Sequence, residues 1–114
     1  MDLERSLVII KPDAVKRGLI GKIISMIEDG GLKIIAMEMT ALTERRAGEF
    51  YHVHRGKSFY DALVSYMSSG RCVPCVVEGD DCVKRLRALC GATDPSAAAD
   101  GTIRAAFGIS VTMN

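Results

Sequence analysis

Lys11, Arg87, Thr93 and Arg104 are the side chains from which a functional reading of this sequence starts. Three are cations, one carries a hydroxyl, and all stand near the ends of predicted elements. Phosphoryl transfer asks little covalent help of a protein. It needs positive charge positioned around the transferring group, usually with Mg2+ bridging phosphate oxygens. These residues are far apart in sequence, so folding would have to gather them. The plainer alternative is a set of solvated surface residues, with Lys84, Arg85 and Arg87 complementing a helix C-terminus. Neither a G-x-x-x-x-G-K-[ST] loop nor a G-x-G-x-x-G turn is present.

Two other constellations invite a metal or redox reading. Cys72 and Cys75 have Cys-x-x-Cys spacing, but residues three apart on a strand point to opposite faces, and a second ligand pair is missing. Buried, reduced thiols are the expectation, and no metal site is assigned. His52 and His54 would share a face of a strand but diverge on the helix expected there. With no carboxylate to complete a triad, they read as surface or site-lining residues.

The elements that must position these groups follow from patterning. Residues 6–10 form a short continuous apolar run, as in a strand covered on both faces, and Pro12 ends it with Lys11 at its tip. Ile20, Ile23, Ile24 and Ile27 have helical spacing, stopped by Gly30 and Gly31. Residues 32–39 read as a second strand. Thr43 is placed to cap a helix reaching about Tyr51, and Ser58 to cap the next, with Asp61 reaching back to it. Residues 72–77 make a third strand. Asp80 or Asp81 opens a helix to Leu89 that Gly91 closes, and after a turn-rich stretch residues 107–111 alternate as a fourth strand. The order suggests an α+β domain of the ferredoxin-like βαββαβ kind, a four-stranded antiparallel sheet with helices on its faces.

The 114 residues suit a single domain, 1–114, with a real core, and no repeat, linker or low-complexity tract divides them. The net charge of +1, from 15 Lys+Arg against 14 Asp+Glu, lacks the basic excess of a nucleic-acid binder. Aromatic residues at 5% argue further against a ferredoxin-like RNA binder. The start carries Asp2 and Glu4 where a signal peptide needs net positive charge, and no apolar run reaches membrane-spanning length. A cytoplasmic protein with no membrane partner is expected, its four cysteines reduced and mostly buried.

Several blocks then fall together. Lys11, Pro12, Asp13, Val15, Arg17, Gly18, Leu19 and Gly21 match the pattern K-P-D-x-V-x-R-G-L-x-G. Tyr51 and His54 match Y-x-x-H, followed by Phe59 and Leu63 as F-x-x-x-L. Glu78 and Gly79, then Arg87, Gly91, Thr93, Asp94 and Pro95, match E-G…R-x-x-x-G-x-T-[ND]-P. Gly101, Thr102, Ile103, Arg104, Phe107 and Gly108 match G-[ST]-I-R-x-D-F-G except at one position, and Asn114 stands at the Asn of N-x-x-H-G-S-D. The chain therefore resembles the nucleoside diphosphate kinases.

That resemblance implies transfer of the γ-phosphate from a nucleoside triphosphate such as ATP to a nucleoside diphosphate. It implies Mg2+, a ping-pong phosphohistidine intermediate, and assembly as a homo-oligomer, tetramer or hexamer. Carried onto this sequence, Lys11 would bind terminal phosphates, Arg87 and Arg104 would neutralise the transferring group, and Thr93 would donate to phosphate. Asn114 would hold the ribose hydroxyl and phosphate. Phe59 would give the base an aromatic face, with Val111 on its other side, tolerating any base. Tyr51 and His54 would line the phosphate end. Taken alone, Phe59 reads as a core residue, Thr93 as a turn hydroxyl and Asn114 as a chain end.

Ala106 departs from the family's Asp, Ser58 replaces the proline before Phe59, and Arg71 with Pro74 interrupts a clean apolar strand. The phosphohistidine of the pattern falls beyond Asn114. Either it belongs to residues past the 114, or the chain is a shortened form; alone, these 114 residues are expected to be inactive. A nucleotide-binding pseudo-enzyme or interaction module, with saturable ADP binding and no turnover, is the competing reading. A purely structural subunit would bind no nucleotide.

Overall fold

The computed structural model describes residues 3–92 and 95–107. Thr93, Asn114, Val111 and all of the expected fourth strand except Phe107 lie outside them.

Strand β1 (Leu3–Ile10) runs into a short helix α1 (Pro12–Lys16), then α2 (Ile20–Asp29), β2 (Lys33–Met37) and a two-residue strand β3 (Thr40–Ala41). Helices α3 (Glu44–Phe50) and α4 (Tyr60–Met67) precede β4 (Arg71–Asp80), which leads to α5 (Cys82–Cys90) and α6 (Ile103–Phe107). Single 3-10 turns occupy His52–His54 and Pro95–Ala97. The sheet order is β1-β4-β2, every pairing is antiparallel, and β3 also pairs with β4. This is the expected α+β, four-stranded antiparallel sheet with helices.

Among the described residues β4 is the strand that pairs on both sides, with β1 on one and with β2 and β3 on the other. Val73, Cys75 and Val77, alternate residues of β4, point to one face and are buried there with Ile10, Ile23, Ile27, Cys82 and Leu86. The core thus lies between the sheet and the pair α2 and α5. Burying each of the Val, Ile and Leu side chains among them contributes about 1.5–3 kcal/mol relative to exposure. The β1 expectation is corrected in part: among the described residues β1 pairs only with β4, and Leu7 is 48% exposed rather than covered on both faces.

Pro74, which breaks the apolar pattern of β4, sits where the neighbouring ladder is itself interrupted. β2 ends at Met37 opposite Cys75, and β3 begins at Thr40 opposite Cys72. Between them a single amide, Glu38 N–H, donates to the Pro74 carbonyl at 3.2 Å. A residue without an N–H is tolerated there because no regular ladder requires one.

Caps show where local reading succeeds. Thr43 Oγ1 accepts from the Arg46 amide at 3.1 Å, as expected. Ser58 does not cap α4, which begins one residue past Phe59 with no side-chain cap. Asp81 does precede α5, in a left-handed conformation at φ 51°, but its side chain caps nothing. Glu4 from β1 accepts from the Val83 amide instead, at 3.3 Å.

A cation-lined cleft at the end of β1

The end of β1, the last turns of α5 and the helix α6 enclose a cleft of about 430 Å³. Lys11, Arg87 and Arg104 all line it, together with Asp13, Tyr51 and Cys90. Each cation arrives by a different route. Lys11 directly follows β1 and occupies the N-cap position of α1, with extended backbone at φ −77° and ψ 164°. Arg87 lies in the last turn of α5. Arg104 lies in α6, and its Nη1 donates to the Gly91 carbonyl at 2.9 Å, just past the end of α5.

The electrostatics of this cleft are strained in a useful direction. Burial, followed by the neighbouring Arg104 guanidinium, holds the Lys11 ammonium below the usual lysine range. Neither the Lys11 nor the Arg87 side chain makes an ion pair among the described residues, whereas Asp13 is already matched by Arg17 at 3.1 Å. Three converging cations with one committed carboxylate favour a bound anion bearing several negative charges.

Gly91 is indispensable to this geometry. Its φ is 88°, and a Cβ there would stand 2.6 Å from Thr102 Oγ1. Thr102 is itself buried and caps α6, accepting from the Ala105 amide at 3.3 Å while donating to the Ala99 carbonyl at 2.7 Å. The close approach of α5 and α6 therefore requires the missing side chain.

From the cleft outwards runs a row of rings. Tyr51 stacks near-parallel on His54 with centroids 6.4 Å apart, and His54 meets Phe59 at 5.2 Å. Phe59 is not part of the cleft wall; the residue is 43% exposed, so the core reading of this residue does not hold. His52 turns away and its Nδ1 lies 2.9 Å from the Glu49 carbonyl, while His54 Nδ1 lies 3.4 Å from Lys57 Nζ. Burial, then the nearby Cys72, raises the Tyr51 phenol.

Cys72, Cys75 and Cys82 are free and buried, and burial raises all three thiols. Cys90 is only half-buried and lines the cleft, a position that composition did not reveal. Its spacing of three from Arg87 on α5, placing both on one face, was the available signal. Asp13 was likewise visible only as a motif residue.

The family model described as "Nucleoside diphosphate kinase" matches residues 4–114. The chain belongs to the nucleoside diphosphate kinase family. A nucleoside diphosphate kinase of Chloroherpeton thalassium is 53% identical over 102 residues, covering 90% of this chain and 72% of that protein. One from Desulfatibacillum aliphaticivorans is 49% identical over 112 residues, covering 98% and 81% respectively. Among solved structures, the Aquifex aeolicus nucleoside diphosphate kinase superposes with a TM-score of 0.96 at 44% identity, covering 99% of this chain and 82% of that one. The Halobacterium salinarum nucleoside diphosphate kinase, solved in complex with CDP, gives 0.94 at 42% identity, covering 98% and 74%. The function is accordingly that of a nucleoside diphosphate kinase, a nucleotide-binding phosphotransferase of nucleotide metabolism.

Proposed function

We propose that the cleft between β1, α5 and α6 is the nucleotide site, and that Lys11, Arg87 and Arg104 hold the phosphates there. The observation that carries this reading is the convergence of three cations from separate elements on one cleft, none of them with an ion-pair partner among the described residues. Lys11 acts as a compact ammonium on the terminal phosphates. Arg87 and Arg104 offset the charge that spreads over the transferring group. Thr93 donates its hydroxyl to phosphate, Asn114 holds the ribose hydroxyl and phosphate, and Phe59 offers its exposed face to the base. A base recognised by stacking alone can be any base, which gives broad nucleotide acceptance.

Transfer proceeds in two halves. The γ-phosphate of a nucleoside triphosphate passes to a histidine that the family pattern places beyond Asn114, and then to a second nucleoside diphosphate. One site thereby serves donor and acceptor in turn.

Mg2+ accompanies the nucleotide. Among the described residues no group of three or more His, Cys, Asp or Glu side chains could hold a metal ion, and Asp13 is the one carboxylate in the cleft wall. Mg2+ is commonly bound through one or two carboxylates with substrate phosphates and waters, so this donor set fits an ion carried in on the phosphates. When bound, it would offset negative charge on the phosphates that Lys11, Arg87 and Arg104 hold.

No helix among the described residues is long and apolar enough to cross a membrane. A cytoplasmic location suits the unpaired Cys72, Cys75, Cys82 and Cys90. A homo-oligomer, tetramer or hexamer, suits the exposed Ile35, Met37 and Met39 in and just after β2.

The test is phosphoenzyme formation. Full-length protein exposed to ATP and Mg2+ should become an acid-labile, base-stable phosphoprotein that discharges onto added nucleoside diphosphate. A full-length preparation that takes up no label contradicts the phosphohistidine mechanism.

A further inference from the structure

We propose that Tyr66 is a positioning residue for Lys11, its hydroxyl fixing the first turn of α1 so that the ammonium stays in the cleft. The proposal rests on the nucleotide reading above and adds to it a residue outside the cleft wall. Lys11 cannot cap its own helix, because an ammonium offers donors and no acceptor. Nor does any other side chain cap that end from the N-cap position. Pro12 has no N–H, so the first amide of α1 in need of an acceptor is that of Asp13. It finds one in Tyr66 Oη at 3.1 Å, a contact between α1 and α4 that spans 53 residues of sequence.

The same turn holds Lys11 directly. The Lys11 carbonyl accepts from the Val15 amide at 3.1 Å, so the orientation of α1 sets the Lys11 backbone. On the other side Ile10 is buried and paired with Val73, which anchors the preceding residue. The far end of α1 is also tied: Arg17 Nη1 donates to Asp13 Oδ2 at 3.1 Å and to the Phe107 carbonyl of α6 at 2.6 Å.

A restraint of this kind has a reason to exist. Burial disfavours the Lys11 ammonium, and repulsion from Arg104 adds to this. With no anion in the cleft, a loosened α1 would let Lys11 swing towards water and away from Arg104. Holding the turn keeps both cations aimed at one point before the phosphates arrive, which is preorganisation of the site.

The test is a double-mutant cycle on ADP binding, measured by calorimetry on the 114-residue chain with Mg2+ present. Tyr66→Phe keeps the ring and removes only the acceptor. It should weaken ADP binding roughly two- to tenfold, the range for one hydrogen bond. In a Lys11→Met background the same substitution should change ADP affinity by less than about 1.5-fold, because the group it positions is gone. An equal loss in both backgrounds would show a general structural effect and overturn the role assigned to Tyr66, as would an unchanged affinity in the single variant. Should Tyr66→Phe not fold, Tyr66→Leu, which likewise removes the hydroxyl that accepts from the Asp13 amide, carries the same comparison. A wild-type chain that binds no ADP overturns the nucleotide reading itself and this proposal with it.

Discussion

Arg104 is held to the end of α5 by a hydrogen bond from its Nη1 to the Gly91 carbonyl, 2.9 Å long, so two segments of the cleft wall meet at one backbone group. Gly91 contributes both that carbonyl and the absence of a side chain, since its left-handed φ and the nearness of Thr102 leave no room for a Cβ.

Gly91→Ala should therefore destabilise the fold by roughly 1–3 kcal/mol, the scale of a residue forced into a sparsely populated backbone region. Thermal melting would register this as a lowered midpoint. ADP affinity should fall as well, because Arg104 loses its anchor. A variant that melts like the wild type and binds ADP equally well would contradict the account of this junction.

Arg87→Ala separates binding from stability. Arg87 is exposed and has no ion-pair partner among the described residues, so its removal should change the melting midpoint little. A charge-assisted hydrogen bond to phosphate contributes about 1.5–3 kcal/mol, which corresponds to roughly ten- to hundredfold weaker ADP binding. Calorimetry and melting on the same sample check both halves.

The pH dependence of ADP affinity should report Lys11. Its folded-state pKa lies below the ordinary lysine value because burial, and then Arg104, disfavour the ammonium. A bound phosphate favours the ammonium, so affinity is full at lower pH and falls as pH rises through the depressed value. That limb should appear below the roughly 10.4 of an unperturbed lysine. Stability has the opposite sign: the unfolded chain binds the Lys11 proton more tightly, so this residue's contribution rises with pH across the window between the two values. Titrations over a pH series, repeated with Lys11→Met, should show the limb in the first protein and not in the second.

Phe59→Ala tests base stacking. The exposed ring makes truncation cheap for the fold, while loss of stacking should weaken purine and pyrimidine diphosphates alike by about 1–3 kcal/mol. Fluorescence or calorimetric titration with ADP and CDP distinguishes this from a selective effect on one base.

How far the sequence could be read depended on whether a residue acts locally. The Thr43 cap, the isoleucine stripe of α2 and the Gly91 stop are short-range features, and all stand where spacing placed them. Ser58 was misread because a hydroxyl before an apolar run resembles a cap, yet α4 starts with Tyr60 and draws on no side chain. Glu4 capping α5 and Tyr66 serving α1 were invisible, since each partner comes from a distant element. The short helices α1 and α6 escaped notice because five residues carry too little periodicity to distinguish a helix from a turn. The pairing of β1 with β4 depends on strand order, which no local pattern encodes. Lys11, Arg87 and Arg104 were named from residue type and motif; their shared cleft exists only through folding.

The most direct measurement is a structure of the chain with ADP and Mg2+ bound. The account predicts the two phosphates within hydrogen-bonding reach of Lys11, Arg87 and Arg104, and the base extending towards Phe59. Phosphates seated elsewhere, with those three side chains unengaged, would contradict it.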